Sequence, residues 1–190
     1  MTKRALPRFA SALLLAAALW LPATPALADG DFNFFLGQKS LDEDDWAPAE
    51  EHGELGIEMS WGDRRSPIRV ATDILLSSGS EEDPFVEFDV STYEIAVGVR
   101  GVWKSGNARP FFGGGLAIVG ATAEFSNFMG SVDDDGQGIG IWVGGGVFWR
   151  AGRSFNVGFS GRISAAEVEV FGVDTEAGGF HFGLLLGWGS

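Results

Sequence analysis

Four stretches of this chain alternate large apolar residues with small or polar ones, and each closes on a tryptophan. Leu55, Ile57 and Met59 lead to Trp61, and Tyr93, Ile95, Val97 and Val99 lead to Trp103. Ile139, Ile141, Val143 and Val147 lead to Trp149, and Phe180, Phe182, Leu184 and Leu186 lead to Trp188; only Gly101 and Gly145 interrupt the series. Period two puts successive side chains on opposite faces of a strand, so each stretch reads as a strand with one continuous apolar face. The tryptophans recur 42, 46 and 39 residues apart, at the same end of every second strand. A membrane interface selects that placement, because the ring sits among headgroups while the aliphatic residues ahead of it meet acyl chains. Soluble strands with tryptophan in the core would need the same parity and position four times over.

The N-terminal residues read as a targeting device. Lys3, Arg4 and Arg8 precede an apolar stretch from Ala10 to Leu21, Pro22 and Pro25 break the helix, and Ala26-Leu27-Ala28 supplies small residues for cleavage after Ala28. Residues 1–28 are expected to be a signal peptide and 29–190 one barrel domain. No other segment approaches the roughly 18 unbroken apolar residues of a spanning helix, so any crossing of a membrane has to be made by a closed set of strands. Beyond the signal, ten Lys or Arg (thirteen less the three before residue 9) stand against 26 Asp or Glu, a net charge near −16. Nucleic acid is excluded as a partner, since phosphate contact needs clustered cations. The chain has no cysteine, which removes disulfides, thiolate metal sites and a lipidated N-terminal cysteine.

Alternation marks eight segments, at 32–38, 53–61, 67–76, 92–103, 110–123, 138–149, 154–165 and 177–188. The connections after the second, fourth and sixth are short and contain Gly62-Asp63, Gly106-Asn107 and Gly152; the others are longer. An even number of antiparallel strands with tight turns at one end and long loops at the other predicts an all-β fold, an eight-stranded antiparallel up-and-down transmembrane β-barrel. Charge sorts the same way. The long connections and their flanks hold 19 of the 26 acidic residues, whereas Arg64, Arg65, Lys104, Arg109, Arg150 and Arg153 lie at the short turns. Both ends of the barrel domain are expected on the turn side, the periplasm, with acidic loops outward and Trp61, Trp103, Trp149 and Trp188 forming a girdle at the inner interface.

This pattern resembles the small eight-stranded bacterial outer-membrane β-barrels of the OmpA, OmpX and OmpW type over the whole of 29–190. The sharpest local element is His181-Phe182-Gly183-Leu184-Leu185-Leu186-Gly187-Trp188. It is similar to the C-terminal assembly signal of such barrels, with His181, Gly183, Leu186 and Trp188 at its polar, glycine, apolar and aromatic positions. The family pattern usually ends on the aromatic, whereas Gly189 and Ser190 follow here. The resemblance implies location in the cell outer membrane, recognition by the outer-membrane insertion machinery, and contact with outer-membrane lipid and lipopolysaccharide. Its OmpW side implies an alternative role as a narrow pore for ions or small apolar solutes.

Residues between the apolar ones point inward and mix small side chains with charges. Glu54, Glu58, Arg69, Asp73, Glu94, Arg100, Arg162 and His181 are the candidate lumen network. An unpaired charge inside a narrow barrel is costly, so these groups are expected to form ion pairs and hydrogen bonds across the lumen, as a structural plug or as an ion path. The segment at 110–123 is apolar or glycine on both faces, and alternation does not assign its parity. Catalysis has little support: His52, read here in the first loop, and His181 lie in no nucleophile motif. Ser160 or Ser164 beside His181 is the one arrangement a lipid A-modifying enzyme could use, and it points away from lipid. Asp133, Asp134 and Asp135 beside Gly136 are a weak metal candidate without the spacing of an EF-hand, and divalent cations at the loops are a further class of partner. No cofactor is implied. The reading is a non-enzymatic integral barrel with a structural or surface-interaction role.

Overall fold

Alternating residues close into a barrel rather than a sandwich because the first and last strands pair with each other. A computed structural model describes residues 28–47, 49–63, 65–83, 86–127 and 130–190; the expected signal peptide lies outside them except for Ala28. In chain order the elements are β1 (Ala28–Ser40), α1 (Glu43–Trp46), β2 (Glu51–Asp63), β3 (Ile68–Asp83), β4 (Val86–Val102) and β5 (Ala108–Asn127). They are followed by β6 (Gly130–Ala151), β7 (Phe155–Ala165), β8 (Glu167–Val170), β9 (Val173–Glu176) and β10 (Gly179–Gly189). Around the closed barrel the order is β1, β10, β7, β6, β5, β4, β3, β2, every pair antiparallel; β8 and β9 make a separate hairpin. The seam runs from Asp31 opposite Gly189 to Ser40 opposite Phe180.

The two faces are inverted relative to a soluble protein. Leu36, Leu55, Leu116, Ile139, Ile141 and Leu184 point away from the axis, with Ile139 78% exposed, while Glu54, Asp73, Glu94 and His181 inside are each at most 3% exposed. An exposed belt of this size is stable only against acyl chains. Trp103, Trp149 and Trp188 are exposed at the turn end, and Trp61 is half-buried there. The parity that alternation leaves open on β5 is settled by burial. Phe111, Ala117, Val119, Ala121 and Ala123 face inward, and Phe112, Leu116 and Ile118 face outward.

Two of the four expected long loops are not loops. β3 and β4 pair as far as Asp83 opposite Val86, and β5 and β6 as far as Asn127 opposite Gly130, so both hairpins continue beyond the apolar belt. Their acidic residues therefore lie on strands. Alternation persists there with its polarity unchanged on the inner face: Val90, Ala121 and Ala123 are buried, while Asp89, Glu124 and Asp133 sit directly opposite one another on the outer face. The last long connection supplies the reason, because β8 folds back against this inner wall. A Cβ on Gly136, Gly138 or Gly140 would run into the carbonyl oxygens of Glu169, Glu167 or Ala165, so only a strand bare of side chains there admits the backbone of this connection.

The belt sets a clear expectation for lipid-facing positions. Leu184→Arg, at the middle of the exposed face of β10, should cost about 2–4 kcal/mol in urea unfolding from phospholipid vesicles. Equal stability of the two proteins would place that face away from acyl chains.

Candidate functional site

The alternation that leaves apolar side chains outside necessarily points the intervening residues at one another across a narrow lumen. On β2, β3, β4, β7 and β10 they include charged and hydroxylated side chains among small and apolar ones, and the polar contacts fall into three tiers. In the middle tier Arg100, from β4, donates to both oxygens of Asp73 at 3.0 and 2.8 Å. It also lies 3.4 Å from Glu58, which accepts from Ser160 at 2.7 Å. Arg162 reaches Asp73 at 3.3 Å and Glu94 at 3.0 Å. Both guanidinium groups stack on aromatic rings, Arg162 4.3 Å from the centre of Trp142 and Arg100 5.2 Å from that of Phe111. Glu94 accepts from Ser164 at 2.8 Å, Ser164 meets His181 Nε2 at 3.0 Å, and His181 Nδ1 meets Glu54 at 2.8 Å. Acids and bases thus alternate in one chain of contacts from Glu58 to Glu54.

The turn-end tier is built around Arg69. It pairs with Asp31, which also binds Arg150 and accepts from Asn156 at 3.1 Å. Asp31 lies just ahead of the segment that alternation marks, so its partners were not legible.

The outer tier likewise lies past the limits that alternation marks. Lys39, one residue past the predicted strand, donates to Thr92 and to the Ala177 carbonyl, both at 2.9 Å. Thr92 meets Ser77 at 2.7 Å, and Ser77 meets His52 Nδ1 at 3.0 Å. The other ring nitrogen of His52, 3.0 Å from the Ala49 carbonyl, must carry the proton, because a carbonyl only accepts. His52 therefore does not lie in a loop; it is the second residue of β2 and faces the lumen, 1% exposed. Lys39 and His52 together hold the two long connections onto the mouth of the barrel.

Those connections form a plug. Leu41, Trp46 and Ala49 from the first pack with Ala166, Val168, Val170 and Ala177 from the last, against Val90, Val119 and Ala121 of the wall. Trp46 Nε1 donates to the Glu176 carbonyl at 2.7 Å, and Glu176 N donates to Asp45 at 2.8 Å. The Glu176 carboxylate accepts from the amides of Ala166 and Gly178 at 2.6 and 3.0 Å.

This arrangement pairs charges; it does not expose them. Arg69, Arg100, Arg150 and Arg162 pair with Asp31, Glu58, Asp73 and Glu94, while Glu54 meets His181 and Lys39 donates to Thr92 and a carbonyl. A cavity of about 10 Å³ among Glu58, Asp73, Arg100, Trp142, Ser160 and Arg162 has room for one water at most. Ser164, His181 and Glu54 have the spacing of a nucleophile, base and orienting acid. All three are buried, however, and Ser164 shares its hydroxyl with Glu94. At the extended end, strand alternation sends Asp133 and Asp135 outward and Asp134 inward, where it accepts from the Phe171 amide at 2.5 Å. The three do not converge on one ion, and no group of three or more metal-ligating side chains does so among the described residues.

The chain's sequence matches no family model and no curated protein. Solved structures match in shape. Ail, the attachment invasion locus protein of Yersinia pestis, solved with the heparin analogue sucrose octasulfate, superposes with a TM-score of 0.62 at 13% identity, over 86% of this chain and 99% of Ail. Neisserial surface protein A superposes with a TM-score of 0.52 at 14% identity, over 85% and 94% of the two chains. The fold is that of the eight-stranded outer-membrane β-barrels. His181, Gly183, Leu186 and Trp188 all lie on β10, the strand that closes this barrel, with His181 and Gly183 inward and Leu186 and Trp188 outward. Past Trp188, the Ser190 amide donates to the Gly30 carbonyl at 3.0 Å, the Gly189 amide to the Ser154 carbonyl at 2.8 Å, and Arg150 of β6 to the Ser190 carbonyl at 2.9 Å, so Gly189 and Ser190 tie β10 to β1, to the end of β6 and to the turn after it.

The shared acid–base chain makes Arg162 a sensitive position. Arg162→Ala leaves Asp73 and Glu94 short of a cation in a water-poor interior and should lower stability by about 3–5 kcal/mol in urea unfolding of the refolded barrel. Arg65→Ala, on an exposed turn, should stay within about 0.5 kcal/mol of the parent. Equal midpoints for the two variants would remove the ladder as a source of stability.

Proposed function

We propose that this protein is a non-enzymatic barrel of the outer membrane, delivered by cleavage of residues 1–28, whose acidic end faces outward and serves surface interaction. The supporting observation is the division of labour between its two ends and its interior. The lumen is filled by a chain of ion pairs and hydrogen bonds under an apolar plug, and exposed charge is concentrated at the extended end. The short turns carry the exposed cations Lys104 and Arg153 and belong in the periplasm. His181, Gly183, Leu186 and Trp188 serve as the signal for the insertion machinery, and the outward belt contacts lipid and the acyl region of lipopolysaccharide. The outer row Asp89, Glu124 and Asp133 sets like charges directly opposite, which is unfavourable unless cations gather there. Diffuse divalent ions between this row and lipid phosphates would relieve it.

The similarity to Ail does not carry the sulfated sugar across. Residues 40–63, 77–99, 110–149 and 163–190 contain no Lys or Arg, and Lys39 beside them is buried. A polyanion therefore meets only like charge at this end.

Two measurements bear on the reading. In planar bilayers the refolded barrel should show no sustained conductance, and regular channel openings would put the pore in its place. In intact cells a membrane-impermeant maleimide should modify Asp174→Cys and leave Lys104→Cys unmodified, with no background because the chain has no cysteine. The reverse pattern would invert the topology.

A further inference from the structure

Building on that outward placement, we infer that the extended hairpins carry a docking face for a cationic partner segment bearing aromatic or aliphatic side chains. Above the level that β8 covers, the inner faces of β4, β5 and β6 continue with Phe88, Phe125 and Val132 in one cross-strand row. Phe125 and Val132 are 41% and 61% exposed. The tip of the β8–β9 hairpin adjoins them, because the Phe171 amide is bound to Asp134, the next inward residue after Val132 on β6. Phe171 and Val173 are 50% and 61% exposed. The patch is therefore contiguous, apolar and open at the outermost part of the protein.

Lipid does not cover it. Strand parity aims Phe88, Phe125 and Val132 toward the barrel axis, and the residues that the same strands aim at the surroundings are Asp89, Glu124 and Asp133. The plug reaches only its edge: Phe88 is partly buried against the plug and wall, while Phe125, Val132, Phe171 and Val173 stay exposed. Phe171 is also costly where it stands. With φ of +52° it occupies the first left-handed position of a two-residue turn, ahead of Gly172 at +75°, a place that Asn or Asp fills with less strain. A bulky ring there is held at the tip and away from the core.

Charge decides what fits. A second copy would bring the same acidic end, so self-association through this face sets like charge against like. A segment with Lys or Arg would meet Glu169 and Asp174, which sit opposite each other and exposed on the β8–β9 hairpin that ends at Phe171, while its apolar side chains cover Phe125, Val132 and Phe171. The acidic rim supplies steering and salt dependence, and the apolar row supplies retention.

The test uses the whole barrel in nanodiscs of zwitterionic lipid, with empty nanodiscs as the blank and three labelled peptides of equal length built from Lys-Trp, Lys-Ser and Glu-Trp repeats. By fluorescence anisotropy the Lys-Trp peptide should bind at least about tenfold more tightly than either of the others. The pair Val132→Ser and Phe171→Ser should weaken Lys-Trp binding about tenfold and leave Lys-Ser binding unchanged. Phe171→Asn alone, which relieves the turn, should weaken it in the same direction and keeps the comparison intact if the double variant fails to fold. Equal affinity for Lys-Trp and Lys-Ser, or Lys-Trp binding indifferent to these substitutions, would overturn the docking face while leaving the surface role in place. Inverted labelling in cells would overturn the surface role whatever the peptides do.

Discussion

A chain that crosses a bilayer as strands must satisfy every backbone amide within itself, and here that depends on the seam between β1 and β10. Asp31 through Ser40 pair with Gly189 through Phe180, and without that ladder the first and last strands would each leave a row of donors and acceptors facing hydrocarbon. Closure has a second consequence. It forces each strand to present one face to lipid and the other to a lumen that eight strands leave only wide enough for side chains. The apolar belt, the filled interior and the confinement of exposed charge to the two ends all descend from that geometry.

The enclosed lumen changes what its charges can do. In water an Arg–carboxylate pair contributes little, but an unpaired charge in a dry interior is costly, so buried carboxylates are tolerable only in company. Asp73 illustrates the outcome, with Arg100 on one side and Arg162 on the other, each guanidinium backed by an aromatic ring. His181 finds Glu54 and Ser164 in the same way. A Ser–His–Glu spacing arises from this pairing demand alone. All three lie buried beneath the plug.

How much was legible follows from what alternation measures. Period two located all eight barrel strands and assigned inward faces to Glu58, Arg100, Arg162 and His181, because a lipid-facing row is written in the sequence as large apolar residues. It left β5 unassigned, since its inward Ala117, Val119 and Ala121 are as apolar as the outward Leu116 and Ile118. It also stopped each strand where the lipid-facing row stopped. Asp31, Lys39 and His52 lie just past those limits, and so the turn-end and outer tiers of the network were missed. The extension of β3 to β6 reads as loop in the sequence because its outward residues turn acidic, although the inward Val90, Ala121 and Ala123 keep the period. Gly136, Gly138 and Gly140 were a signal for the backbone of the last connection crossing the sheet, but a spacing of glycines does not name what approaches them.

By itself the sequence determined the barrel, its belt, the row of tryptophans at its turn end and the sorting of acid from base between its two ends, because each of these follows from which face a residue occupies and from distance along one strand. Which cation meets which carboxylate was decided only in three dimensions. Arg69 goes to Asp31, a residue outside the segment that alternation marks, and Lys39 binds a carbonyl of a connection well over a hundred residues away. Such pairings depend on the stagger between strands and on how the last connection folds into the mouth. Both are set by the closing of the sheet as a whole, which no local period encodes.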